Sequence, residues 1–129
     1  MGKDVFCRIV SGEIPSYKLY EDEDFMSFLD VNPIRLGHTL LITKKHYKNI
    51  YEMPEDLYNR FFLKAKELSL FIQDVTMSDR VGLVVAGLDI DHVHIHLLPI
   101  NEIGDLDFKN QHKEKPEYLA KIAKDIKIA

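Results

Sequence analysis

The chain has a single cysteine, Cys7, among 129 residues. No internal disulfide is available to staple a small fold, and a reducing compartment, the cytoplasm, is the expectation. Positive charge is not in excess: 17 Lys and Arg stand against 21 Asp and Glu, a net charge of -4. A protein that grips a nucleic-acid backbone carries a basic surface, so DNA and RNA are not expected as partners. No apolar run approaches the ~20 residues of a membrane span, and the charged start Met1 to Asp4 leads into none, so neither an anchor nor a signal peptide is expected. Internal repeats, low-complexity stretches and Gly/Ser linkers are missing as well, and the five prolines are scattered. What remains has 46% hydrophobic residues, the composition of one soluble domain spanning residues 1–129.

Periodicity then sorts the chain into elements. Val5, Phe6, Ile9 and Val10 recur at helical spacing within Asp4 to Ser11 and stop at Gly12, which predicts a short helix. Two strand-like runs, Tyr17 to Glu21 and Phe25 to Leu29, flank the acidic turn Asp22-Glu23-Asp24 and predict a hairpin. His38 to Thr43 reads as a central strand. Pro54, Glu55 and Asp56 suit a helix start, and Leu57, Phe61, Ala65, Leu68 and Ile72 carry that helix to about Val75. Val81 to Val85 and His92 to Leu98 read as buried strands, the second ended by Pro99. A polar stretch, including a solvated His112, precedes a terminal amphipathic helix after Pro116. Runs of strands and helices without strict alternation predict an α+β fold with an antiparallel sheet, a long helix and a C-terminal helix.

Four of the six histidines fall in two short segments, Gly37-His38 and His92-Val93-His94-Ile95-His96. Along a strand, side chains alternate between faces, so His92, His94 and His96 share one face and Val93, Ile95 and Leu97 the other. Three exposed imidazoles on a solvated sheet would be an odd use of alternate strand positions. A metal is a second option, but at about 3.3 Å per residue the outer two backbones stand roughly 13 Å apart, so one ion could use only two of the three. A third option is an extended phosphate substrate. There the middle imidazole attacks phosphorus while its neighbours donate hydrogen bonds to the oxygens, two roles open to a side chain with an unperturbed pKa of about 6.5.

The segment Gly87-Leu88-Asp89-Ile90-Asp91-His92-Val93-His94-Ile95-His96-Leu97-Leu98 resembles the signature of the histidine-triad (HIT) superfamily. Phe6-Cys7-Arg8-Ile9-Val10-Ser11-Gly12-Glu13-Ile14-Pro15, Tyr20-Glu21-Asp22, Phe28-Leu29-Asp30-Val31-Asn32-Pro33 and Gly37-His38-Thr39-Leu40-Leu41-Ile42-Thr43-Lys44-Lys45-His46 match its N-terminal half in order. The resemblance covers residues 4–99, leaving 100–129 as a C-terminal extension, and is nearest the Hint-like branch of nucleoside phosphoramidases and nucleotide hydrolases. It implies a homodimer and a purine nucleotide substrate cleaved at a P-N or P-O bond of the α-phosphate, with dinucleoside polyphosphate hydrolysis or simple nucleotide binding as alternatives. It assigns His94 as the nucleophile that becomes nucleotidylated, and His38, His92 and His96 as the histidines that orient it and bind phosphate oxygens. The Gly87 backbone would approach phosphate, Asp30 would accept from the ribose hydroxyls, and Phe6, Ile9, Ile14, Phe28, Leu29 and Val31 would enclose the base.

Two departures from the family pattern stand out. Val84-Val85-Ala86 runs almost directly into Gly87, shortening the preceding loop, and Leu88-Asp89 replace the usual Gln and small hydroxyl residue. Relatives with Cys-x-x-Cys near the start bind structural zinc, and the matching positions here are Asp4, Cys7, His46 and His92. With one thiolate replaced by Asp4, a buried thiol without metal is the expectation, and no cofactor is required.

Overall fold

The computed structural model describes residues 4–126. Residues 1–3, where the absence of a leader was read, and 127–129 of the C-terminal extension lie outside the described residues. Five short runs form strands β1 (Lys18–Glu21), β2 (Phe25–Leu29), β3 (Thr39–Thr43), β4 (Arg80–Val84) and β5 (His94–Ile100). They pair antiparallel in the order β1-β2-β3-β5-β4, so the expected α+β architecture with an antiparallel sheet is observed. Every residue of β2 and β3 is buried, because helical segments cover both faces of the sheet centre.

On one face lies the long helix α2 (Glu55–Thr76), which turns Phe61, Ala65, Leu68 and Ile72 against Leu41, Ile95 and Leu97. Helix α3 (Pro116–Ile126) adds Leu119, Ile122 and Ile126 to the same core. The opposite face is covered in part by the short helix α1 (Val5–Val10), whose Phe6 packs on Met26, Phe28, Leu40 and Ile42. Asp4 caps α1 by accepting the Cys7 amide hydrogen at 2.8 Å. Among the described residues no helix is long and apolar enough to cross a membrane.

The first, third and fourth strands match expectation to within one residue at each end, whereas both limits of the histidine strand differ by two. The strand expected at His92 begins at His94 and continues through Pro99 to Ile100. Pro99 is accommodated because the last β3 partner is the Thr39–Leu97 pair; beyond it only β4 flanks β5, so the missing N-H disrupts no central ladder. His92 lies two residues before the strand, where its carbonyl is turned toward a side chain rather than into the sheet. The end of α2 also falls beyond Val75. Met77 takes the left-handed conformation (φ 56°) usually given to glycine, and its N-H caps the Gln73 carbonyl.

Candidate active site

Helix α1, the loop before β1, and residues of β2, β3 and β5 together enclose a cavity of about 340 Å³ on the α1 side of the sheet. Nine of the expected site residues line it: Phe6, Ile9 and Ile14 from the α1 region, Phe28, Leu29, Asp30 and Val31 at the end of β2, and His94 and His96 from β5. The alternation along β5 produces this, since Val93, Ile95 and Leu97 face the α2 core while His94 and His96 face the cavity. Gly87 lies elsewhere. With φ 78°, it borders a second cavity of about 190 Å³ beside Lys48, Asn49 and Ala86, and His94 is the residue common to both. His38 and His92 stand behind the wall, each fully buried.

Hydrogen bonds to the backbone fix which imidazole nitrogens carry hydrogen. His94 Nδ1 is 2.7 Å from the His92 carbonyl oxygen, which can only accept, so Nδ1 donates and Nε2 keeps a lone pair. His38 Nδ1 accepts the Ile34 amide hydrogen at 3.1 Å, which puts the hydrogen on Nε2. That hydrogen points at His96 Nδ1, 2.9 Å away, and leaves His96 with its own hydrogen on Nε2. The register behind this is the Leu40–His96 pair of β3 and β5, with His38 just before β3. The rings of His94 and His96 lie 4.9 Å apart, centre to centre, and Phe6 meets the His94 ring edge-on at 5.0 Å. One imidazole thus offers an electron pair beside another that offers a hydrogen, the combination needed to attack an electrophilic centre while stabilising the charge that builds on it.

Burial keeps His38 and His96 neutral. It lowers the His38 pKa to about 3, helped by the neighbouring His96 charge, and that of His96 to about 4, helped by His94 and opposed by Asp89. Asp30 moves the other way, raised to about 6 by burial and by the Asp89 charge against the lowering effect of the Asn32 amide that it accepts.

A HIT domain model matches residues 11–103, most of the chain. The protein belongs to the HIT family. An uncharacterised HIT-like protein of Methanocaldococcus jannaschii is 39% identical over 95% of this chain and 98% of its own length. The adenosine 5'-monophosphoramidase of Saccharomyces cerevisiae is 32% identical over 92% of this chain and 82% of its own. Among solved structures, a hypothetical histidine triad nucleotide-binding protein of Sulfolobus tokodaii superposes with a TM-score of 0.83 at 36% identity, covering 94% of this chain and 87% of that one.

Behind the HIT triad a second cluster forms. Ligand atoms of Asp4, Cys7, His46 and His92 all lie within 4.8 Å of one another. His92 Nε2 donates to the Thr43 carbonyl at 2.7 Å, so Nδ1 faces the Asp4 carboxylate at 3.0 Å and the Cys7 sulfur at 3.6 Å. His46 Nδ1 reaches the same carboxylate at 3.1 Å. One carboxylate, one thiol and two imidazoles form a donor set chemically suited to a zinc ion, which in this position would brace His92 and α1. Cys7 is half-buried rather than buried, because α1 leaves this side of the cluster open to solvent beside the exposed His46.

The HIT site also includes residues that sequence reasoning missed. Ile90 lines the main cavity; so does Asp89, the acid already singled out as a departure from the family pattern, which therefore faces the site. Phe108 lies edge-on to His96 at 4.8 Å and to His38 at 6.1 Å, and the Gln111 side-chain amide is 3.3 Å from Asp30 Oδ2. Both belong to the polar stretch after β5, where no hydrophobic periodicity marks them. His112, read as solvated, is exposed. Lys109, Lys113 and Lys115 do not line the cavity.

Proposed function

We propose that this HIT protein is a nucleotide hydrolase or transferase that cleaves a P-N or P-O bond at the α-phosphate of a purine nucleotide through a nucleotidyl-His94 intermediate. The observation that carries this reading is the pairing of a His94 Nε2 lone pair with a His96 Nε2 hydrogen at the wall of one apolar cavity. The base would occupy the apolar slot around Phe6, Ile9 and Phe28, and Asp30 would accept from the ribose. In the first step an Nε2-P bond forms as the bond to the leaving group breaks, and the departing amine or oxygen takes up a proton. Water then attacks phosphorus, the Nε2-P bond breaks, and a nucleoside monophosphate leaves with His94 regenerated. Hydrogen bonds from the histidine wall to the phosphoryl oxygens act where negative charge accumulates.

The name of the yeast relative, a monophosphoramidase, supports a compact P-N substrate. A cavity of about 340 Å³ with Asp89 on its wall argues in the same direction, against a long polyphosphate chain. None of these steps needs a cofactor; elemental analysis showing sub-stoichiometric metal in fully active protein checks this.

The deciding experiment is incubation with an adenosine 5'-phosphoramidate followed by intact-mass measurement. Wild type should accumulate an adenylyl adduct that His94→Ala lacks. An adduct persisting in the mutant removes His94 from its role. Tight AMP binding without adduct or turnover in wild type points instead to a binding module.

The homodimer is proposed on the strength of exposed apolar residues on adjoining elements, Leu63, Leu70 and Phe71 on α2 and Leu83 on the edge strand β4. An edge strand can pair with its own copy across a two-fold axis and extend the sheet. Sedimentation should give twice the chain mass, and Leu70→Lys with Phe71→Lys should return it to one. The lone cysteine keeps the cytoplasm as the proposed compartment.

A further inference from the structure

Residues 101–115 connect β5 to α3, and nearly all of them lie past the HIT-domain match that ends at residue 103. They do not leave the body of the protein. Arg35 ties down Asp105 at 3.0 Å, the His112 amide donates to the Pro33 carbonyl at 3.2 Å, and the Glu114 amide donates to the Val31 carbonyl at 3.3 Å. The segment is therefore strapped along the loop that follows β2, the loop that carries Asp30. At its centre the Gln111 side-chain amide donates twice, to the Asn32 carbonyl at 2.8 Å and to Asp30 Oδ2 at 3.3 Å.

We propose that Gln111 is a positioning residue for the ribose, holding the Asp30 carboxylate in the orientation that accepts both ribose hydroxyls and so selecting ribonucleotides over 2'-deoxyribonucleotides. The inference rests on the nucleotide reading above, and it concerns a segment to which that reading gives no role. The geometry supports it in three ways. Asp30 Oδ1 is already held by the Asn32 amide at 2.9 Å, so a second donor on Oδ2 removes the remaining rotation of the carboxylate plane. The other candidate donor near Oδ2, His38 Nε2, stands 3.6 Å away and gives its hydrogen to His96 instead. Gln111 is neutral, so it orients the carboxylate without neutralising it, leaving acceptor capacity for a diol. A carboxylate free to turn would meet one hydroxyl as well as two, and discrimination between ribose and deoxyribose would fall.

The test compares AMP and 2'-deoxy-AMP binding, and turnover of the corresponding phosphoramidates, for wild type, Gln111→Ala and Gln111→Glu. Wild type should prefer the ribonucleotide by tenfold or more. Gln111→Ala should cut that preference about 5-fold, through a raised KM for the ribo substrate with kcat and the deoxy substrate nearly unchanged, as expected from loss of one oriented hydrogen bond. Gln111→Glu should cut it further, because the new carboxylate repels Asp30. A merely structural role for Gln111 would lower the melting temperature and leave the ribo/deoxy ratio intact; that result overturns the proposal. Wild type that binds both nucleotides equally, or neither, fails before any mutation is compared and overturns the underlying ribose reading together with the proposal.

Discussion

His38 Nε2 lies 2.9 Å from Nδ1 of His96, and the Ile34 amide on the other side of the His38 ring makes that contact run in one direction. Without the Ile34 donor, either histidine could carry the shared hydrogen. With it, the hydrogen of His96 is held on Nε2, on the side where a phosphoryl oxygen would sit.

His38→Ala should therefore damage chemistry more than binding. His96 loses the donor that selects its tautomer, and a misdirected transition-state donor costs roughly 100-fold in rate. We expect kcat to fall by about that factor while KM changes less than threefold, and His38→Asn, which keeps a donor, to recover part of it. Steady-state kinetics on a phosphoramidate read this directly; an unchanged kcat with a raised KM would contradict it.

Stability should fall on mild acidification. His38 and His96 titrate at about 3 and 4 in the fold against 6.5 unfolded, so between pH 6 and 4 the unfolded chain binds up to two more protons at these sites. Asp30, raised to about 6 from 3.8, works the other way by keeping up to one extra proton in the fold. Up to one net proton favours unfolding across that window, a loss of order 1 kcal/mol per pH unit. Unfolding free energies from urea titrations at pH 7 to 4 should decline with that slope, and His96→Asn should flatten it.

Nucleotide affinity should also depend on Asp30. Its carboxyl, titrating near 6, must be ionised to accept from the ribose, so KM for a ribonucleotide should rise as pH falls below about 6 while that for the deoxy analogue rises less.

Asp89→Asn should tighten AMP binding. A single like charge on the cavity wall, separated from the phosphate by partly aqueous surroundings, is worth about 1 kcal/mol, or roughly 5-fold, and less at high salt. Titration calorimetry at low and high ionic strength should show the gain and its shrinkage; no gain at low salt would place the phosphate away from Asp89.

Gly37→Ala should destabilise the fold. Gly37 has φ 107°, and an added Cβ would sit 2.7 Å from Thr76 Cγ2, which is held by a bond from Thr76 Oγ1 to the Ile72 carbonyl. Backbone strain and overlap together should cost about 2–4 kcal/mol, read as a lower denaturant midpoint.

The parts of this molecule that follow from local pattern were legible in the sequence. Alternation put His94 and His96 opposite Val93, Ile95 and Leu97, and helical spacing placed Phe61, Ala65, Leu68 and Ile72 on one buried face. What depended on strand partners was not. Nothing in the run His92 to Leu98 says that β3 stops pairing at Leu97, which is why Pro99 read as a terminator. The end of α2 was legible to within one residue, although Met77 stands where a glycine would have marked it. Phe108 and Gln111 were invisible: each acts through one tertiary contact in a polar stretch, and single contacts leave no period.

The cavity takes its walls from residues far apart in the chain, with Phe6 and Ile14 on one side, Asp89 and His96 on the other, and Gln111 bonded to Asp30. During synthesis, when a chain emerges from its N-terminus, the apolar residues of α1 and β2 must wait for the strand that carries His94 and His96 before the pocket closes. On the proposed nucleotide reading, a bound nucleotide would stabilise only chains extended at least as far as His96 and folded around the site, not shorter partial chains.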